Sequence, residues 1–426
     1  MRILHFADLH LGVENYGRPD AATGLHTRLL DFLRSFDFIV DTAITRQVDL
    51  ALFCGDAFRS REPLTNLQCL FAERIRRLVE AEIPVLILAG NHDLPPLPGK
   101  HSALEIYPIL SVPGVEVALT PGLRRIETKS GSLQVACLPS LSLNAQRSTL
   151  NENPAVIEIQ DGSNNVLQII NEMLSQLSDD CPAILAAHVM VKGAYVSSGA
   201  YLNPKSEITL PREALARPEF AYVALGHVHT FQDLNPNGTP PLVYCGSPER
   251  VDFGEEKEDK GFVIAEIGEV ESSQLASRSL GEGRFSVPSP NNKFIASYEF
   301  VETPARKFIT VDVQLEPGSG TTQVLEAIAE QEIEDSVVKL VLHSSEEMAV
   351  DVREIQRALG GAAFATPVSR EVEHPPARLR APELAQHWGN PLAALEEYLH
   401  TTRYSEERKA QLRAAAQKLL EARAGA

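Results

Sequence analysis

The residues able to do chemistry stand at the ends of apolar runs. Asp8 and His10 close "RILHFADLH", Asp56 closes "DLALFCGD", and Asn91, His92 and Asp93 close "IPVLILAGNHD". His188 closes "AILAAH", and His227 with His229 closes "YVALGHVH". Carboxylate, amide and imidazole groups without thiolate suit Mn²⁺, Fe²⁺ or Zn²⁺ and disfavour a structural zinc cage. Residues two apart in an extended segment share a side, so Asp8 with His10, and His227 with His229, can each aim two ligands at one point. Asp8, His10, Asp56, Asn91, His188, His227 and His229 are too many for one ion and suit two that share a bridging carboxylate. Two ions ~3.5–4 Å apart can hold a hydroxide between them and neutralise both oxygens of an in-line phosphoryl displacement. Any one of these elements alone is more often turn chemistry. Their recurrence at five strand ends is what carries the reading. His5, His26, His101, His343, His374, His387 and His400 fall outside the pattern and read as structural.

Such groups need strands that end together. "RILHFA", "DLALFC", "IPVLILA", "LQVACL", "AILAAH", "YVALGH", "LVYCGS" and "GFVIAEI" are short, apolar and bounded by turn residues. Leu29, Leu33, Phe36, Val40 and Ala43 mark one face of a helix between the first two, and Leu67, Leu70, Phe71, Ile75 and Leu78 mark another before the third. This β-α-β-α-β order demands a largely parallel sheet, whose carboxyl-end crevice is where active sites gather. Strand-dense text after about residue 130 suggests a second sheet packed on the first. The division expected is 1–270 for this α/β domain, with 271–293, rich in Ser, Gly and Pro, as a linker or long loop. Residues 294–376 then form a smaller β-α-β-α-β unit, and 377–426 a helical tail. In that tail, Asn390 and Pro391 start one helix and Ser405 caps the last. Leu392, Leu395 and Leu399, then Leu412, Ala416 and Leu419, recur there at helical spacing.

Acidic residues outnumber basic ones 57 to 39, a formal charge of −18. That argues against binding nucleic acid through overall basicity and leaves a local site, bound cations or a basic partner. Five cysteines without CxxC spacing read as free thiols in a reducing cytoplasm. No run approaches the roughly 18 apolar residues that span a bilayer. "MRILHFADLH" reads as a strand rather than a signal peptide, so a cytoplasmic protein with no membrane partner is expected. No GxxxxGK[ST] run is present, so ATP hydrolysis would have to come from a partner.

With DxH, GD, GNHD, H and GHxH in this order, the sequence resembles the calcineurin-like metallophosphoesterases. The resemblance implies a four-layer α/β fold, two mixed sheets flanked by helices, around a dinuclear centre. It places Asp8, His10, Asp56 and His229 on one ion and Asp56, Asn91, His188 and His227 on the other. Mn²⁺ is the expected metal, with Mg²⁺, Fe²⁺ or Zn²⁺ as alternatives. His92 would stand over the scissile phosphate, stabilising charge or protonating the leaving oxygen, with Asp93 orienting its ring. A narrower resemblance, carried by "MRILHFADLHLG", "GDAFRSREP", "LAGNHD", "YCGSPERVDFGEEKEDKGFVIAEI" and "ARKFITVDV", is to the SbcD family of nuclease subunits. It implies cleavage of DNA double-strand ends and hairpins in repair, in the nucleoid-bearing cytoplasm. It also implies a capping domain and a helical segment docked on an SbcC-like ABC-type coiled-coil ATPase, as a homodimer within a heterotetramer. Many archaeal and eukaryotic relatives carry histidine three residues after the GD aspartate. Arg59 stands there here, unable to shuttle a proton at neutral pH but able to clamp a phosphate. Action on small phosphoesters, as a phosphodiesterase or phosphatase of the same superfamily, is the alternative.

Overall fold

The strands Leu50–Phe53 and Val85–Leu88 are buried at every position, as befits parallel strands covered on both faces. They belong to a six-stranded sheet in the order Phe294–Glu302, Gly261–Glu269, Arg2–Phe6, Leu50–Phe53, Val85–Leu88, Val115–Ala118. Its last four strands are parallel, joined by the expected helical crossovers, and antiparallel pairing adds the first two. A second six-stranded sheet runs Gln232–Asp233, Leu242–Tyr244, Tyr222–Gly226, Ala183–His188, Gly131–Leu138, Gly122–Thr128. Its middle four strands are parallel and its edges antiparallel. The computed structural model describes residues 1–95, 99–141, 162–197, 208–236, 238–269, 293–316, 320–344, 349–372, 391–401 and 404–424. No helix among them is long and apolar enough to cross a membrane.

Alternation along each strand sets four layers. Ile3, Leu52 and Leu86 face Val135, Ile184 and Ala224 between the sheets. Leu4, Phe53 and Ile87 point the other way, onto the helices Thr27–Thr45 and Thr65–Glu80 through Phe36, Val40, Phe71 and Leu78. The outer face of the second sheet packs on Val166, Ile170 and Met173 of the helix Gly162–Ser175. His5, one of the histidines read as structural, lies fully buried between the sheets. Its Nε2 donates to the Leu225 carbonyl at 3.2 Å and its Nδ1 accepts from the Tyr222 hydroxyl at 3.0 Å. Burial pushes its pKa down to about 3, so it stays neutral. Of the cysteines, Cys54, Cys137, Cys181 and Cys245 are buried thiols and Cys69 is exposed.

The expected boundary at residue 294 is displaced. Phe294–Glu302 pairs along its whole length with Gly261–Glu269 and completes the first sheet, so breaker-rich text between them joins neighbouring strands of one sheet. Residues 271–292 of the expected linker lie outside the described residues. The chain divides into one unit of Met1–Thr310, Glu332–Lys339 and Leu359–Pro367, and another of Val311–Gln331, Leu340–Ala358 and Val368–Ala426. A small sheet orders Phe308–Gln314, Val337–Ser344 and Phe364–Ala365, with Ser369–Val372 also pairing Val337–Ser344. The run "AFATPVSREV" thus forms two short strands, because Pro367 lacks the N–H a continuous ladder needs. The second unit holds the helices Gly320–Ala329 and Val352–Ala358. The tail supplies two more, Pro391–Thr401 and Glu406–Ala424, set side by side by an ion pair from Arg413 Nε to Glu396 at 2.7 Å. Leu399 is buried, Leu412 and Ala416 are half-buried and Leu392 is exposed.

One buried charge network ties distant parts of the first unit together. Arg28, 1% exposed, reaches Asp31 at 2.6 Å, Glu249 at 3.5 Å and the Arg250 carbonyl, between the rings of Phe32 and Phe308. Arg306 Nε donates to Asp31 at 2.7 Å, and its backbone N–H reaches Glu249. Removing one member of a buried set strands its partners' charge. Arg28→Met is therefore expected to cost about 3–5 kcal/mol. Loss of the exposed Arg76–Glu80 pair by Arg76→Ala should cost less than about 1 kcal/mol. Urea unfolding midpoints of the two variants, compared with wild type, check the difference.

Candidate metal centre

Register decides where the site lies. Phe6 stands opposite Phe53, and Phe53 opposite Ile87, so the carboxyl ends of these parallel strands reach one edge together. In the second sheet His188 stands opposite Gly226, which places His188 beside His227. The edges of both sheets converge. The backbone N–H of His227 donates to the Asp8 carboxylate at 2.9 Å, and His188 Nδ1 donates to the Cys54 carbonyl at 2.7 Å. Two close approaches demand glycine: a Cβ on Gly90 would overlap the Asp56 carboxylate, and one on Gly226 the Cys54 carbonyl. Asp8, His10, Asp56 and His227 have φ of 54°, 42°, 62° and 98°, the left-handed region in which side chains are strained.

All the candidate ligands meet there. Donor atoms of Asp8, His10 and His229 lie within 4.8 Å of one another, as do those of Asp56, His188 and His227, and those of His10, Asp56 and His92. Asp56 stands between the first two groups, with Oδ2 3.7 Å from His10 Nε2 and 3.5 Å from His188 Nε2. Asn91 Oδ1 lies 3.0 Å from His188 Nε2 and 3.1 Å from His227 Nδ1. His10 Nε2 and His229 Nε2 are 3.0 Å apart.

The donor chemistry fits divalent cations. With Nδ1 given to Cys54, a neutral His188 would turn a lone pair toward both Asn91 Oδ1 and Asp56 Oδ2. Acceptors set against acceptors require positive charge among them. Burial lowers the His188 pKa, but the Asp56 charge and hydrogen bond outweigh it and lift the value to about 9. Burial likewise opposes ionisation of Asp56, yet His188, His10 and His92 hold that carboxyl far below the usual range. The pocket thus stabilises Asp56 as an anion, with the raised His188 as its positive partner.

His92 and Asp93 part company. The His92 ring stands edge-on to His10 with centroids 5.0 Å apart, and its Nδ1 donates to the carbonyl of Arg59 at 2.7 Å. The expected orienting group, Asp93, does other work. Its carboxylate accepts the backbone N–H of Asp56 at 2.7 Å, Ala57 at 3.0 Å and Gly90 at 2.9 Å, latching the second strand end to the third. Burial and the Asp56 charge push Asp93 up to about 7, against the pull of these amides. The Arg59 side chain is exposed. Three contributors were not legible beforehand: the Cys54 carbonyl, Arg61 Nε on the Asn91 carbonyl at 3.0 Å, and Glu255 on His229 Nδ1 at 2.7 Å. Glu255 stands in an acidic run, where a single buried carboxylate carries no sequence signal.

Residues 1–231 match the family described as calcineurin-like phosphoesterase. The chain is 26% identical over 349 residues to "DNA double-strand break repair protein Mre11" of Halobacterium salinarum, covering 80% of this chain and 70% of that one. It is 26% identical over 266 residues to a subunit of the nuclease SbcCD of Escherichia coli, covering 60% of this chain and 62% of that one. A solved dimetal phosphatase from Danio rerio aligns with 62% of the chain at 11% identity and a TM-score of 0.39.

The Asp93 latch has a measurable consequence. Asp93→Ala would leave buried amides of Asp56, Ala57 and Gly90 without their acceptor, a loss of about 3 kcal/mol or more. Stability and metal uptake should fall together, since the latch holds the Asp56 main chain. Denaturation and Mn²⁺ titration of the variant check this. Full stability and metal affinity with only turnover lost would return Asp93 to a role on His92 alone.

Proposed function

The chain belongs to the calcineurin-like phosphoesterases, and from that membership we propose that it is a metal-dependent DNA phosphodiesterase of double-strand-break repair. The observation that carries the reading is the convergence of five strand ends on clustered carboxylate, amide and imidazole groups suited to cations, with the His92 ring beside them. The names of the Mre11 and SbcCD relatives support DNA as substrate; double-strand ends and hairpins would be its preferred forms. Two divalent ions, Mn²⁺ by preference for a mixed imidazole and carboxylate set, would be held by Asp8, His10, Asp56 and His229 and by Asp56, Asn91, His188 and His227, supplying an acidified water and an electrophile for phosphate.

The chain's own groups do the rest. Asp56 holds charge at the midpoint, where Asp93 fixes its backbone. His92 Nδ1–H donates to the Arg59 carbonyl, so Nε2 is the atom left to carry a proton to the leaving oxygen of the cut strand. The exposed Arg59 guanidinium would bind a neighbouring DNA phosphate, so one residue orients the acid through its main chain and the substrate through its side chain. The unit beginning at Val311 serves as a cap that shapes DNA access, and the paired tail helices dock on an SbcC-like ABC-type ATPase, two copies of each chain forming the assembly. This is cytoplasmic chemistry on the nucleoid.

Asp56→Asn should abolish cleavage of linear duplex DNA and weaken uptake of both ions. His92→Ala should keep Mn²⁺ uptake and lose ~10²–10⁴-fold in rate, the usual share of a positioned acid. End-labelled duplex and hairpin assays, run beside a small phosphodiester, read both. Cleavage of the small ester with no activity on DNA would reassign the substrate class.

Deleting residues 391–426 should leave a folded Mn²⁺-dependent nuclease on short DNA that no longer co-purifies with the ATPase. Retained co-purification would place the partner surface elsewhere.

A further inference from the structure

We propose that Glu255 is a positioning residue for His229, held in place by the buried ammonium of Lys260. The inference rests on the dinuclear reading and deepens it. Glu255 is 2% exposed and lies on the 3-10 turn Phe253–Glu255, which the Asp252 side chain caps through the Gly254 N–H. Its two carboxylate oxygens are separately committed. Oε1 accepts from His229 Nδ1 at 2.7 Å, while Oε2 accepts from Lys260 Nζ at 2.8 Å and from the Val251 N–H at 2.9 Å.

Lys260, also 2% exposed, is itself surrounded by acceptors: Glu258 Oε2 at 2.8 Å, Ser247 Oγ at 3.1 Å and the His229 carbonyl at 3.2 Å. The turn is braced on both sides of Glu255. Phe253 packs edge-on against Phe308 and Tyr16, with centroids 4.9 Å and 5.1 Å away, and Glu256 accepts from the Thr310 N–H at 2.8 Å.

The consequence falls on the imidazole. With Nδ1–H given to Glu255, His229 must present Nε2 toward His10 and Asp8, and the ring cannot rotate without breaking a buried charged contact. A buried Lys–Glu pair is a weak stabilising device, because apolar residues of similar volume fold as well. What distinguishes this pair is the ligand it touches. Such carboxylate partners fix the tautomer and direction of a metal-binding histidine, and their loss usually weakens the metal ~10–100-fold.

The full chain is titrated with Mn²⁺ by calorimetry and by electron paramagnetic resonance. Wild type should take up two ions and show an exchange-coupled pair. Glu255→Gln and Lys260→Met should bind one ion as before and the other ~10-fold or more weakly, giving a mononuclear signal at intermediate Mn²⁺. Glu258→Gln, which touches Lys260 but not His229, should retain both ions. Both ions bound at wild-type affinity by Glu255→Gln overturns the positioning role; a wild type that takes up fewer than two ions overturns the dinuclear reading itself. A second measurement uses wild type alone, loaded with diamagnetic Zn²⁺ and labelled with ¹⁵N-histidine. His229 should be coordinated through Nε2 and keep a slowly exchanging Nδ1–H. Coordination through Nδ1, or a ring proton exchanging as in a surface histidine, overturns the proposal even if the variants fail to fold.

Discussion

Acceptor atoms that converge in a buried crevice repel one another unless positive charge lies among them. Asp56, Asn91 and His188 approach at 3.0–3.5 Å under that constraint, and much of the first unit follows from it. Parallel strands must end in register so that their loops arrive together. Gly90 and Gly226 must lack side chains so that those loops can cross. Asp93 must commit its carboxylate to main-chain amides, because loops under mutual repulsion would otherwise part. The site is therefore a property of two sheets meeting at their carboxyl ends, and no single loop could reproduce it.

The same rule of paired burial recurs away from the site. Arg28, Asp31, Glu249 and Arg306 interlock behind the first helix, and Lys260 with Glu255 does so beneath His229. Both sets draw on the segment from Glu249 to Lys260, between the last ligand and the strand Gly261–Glu269. That segment is charged in sequence but largely buried at Glu249, Glu255 and Lys260, so its composition misrepresents its place.

The candidate ligands were legible because each motif pairs an apolar run with a polar stop, and apolar runs of four to eight residues betray strands. Val115–Ala118, broken by Glu116, was not legible. Nor was the partner of Phe294–Glu302, since pairing across a long breaker-rich connection leaves no local trace. The main-chain contacts of Asp93 were hidden for a related reason. The resemblance implied a task shared with His92, whereas its partners Asp56 and Ala57 lie more than thirty residues earlier. At Arg59 attention to side-chain chemistry hid the carbonyl, which every residue type carries and no sequence can single out.

The left-handed backbone at Asp8, His10, Asp56 and His227 bears on how such a protein would drift if its activity were no longer needed. Each of these residues costs roughly 1–2 kcal/mol relative to a glycine in the same conformation. Substitution of a ligand by glycine would relieve that strain and remove a buried acceptor at once. At Asp8 the gain is offset, because its carboxylate also accepts the buried N–H of His227. The candidate ligands are therefore held against the local preference of their own main chain by the two sheets that carry them.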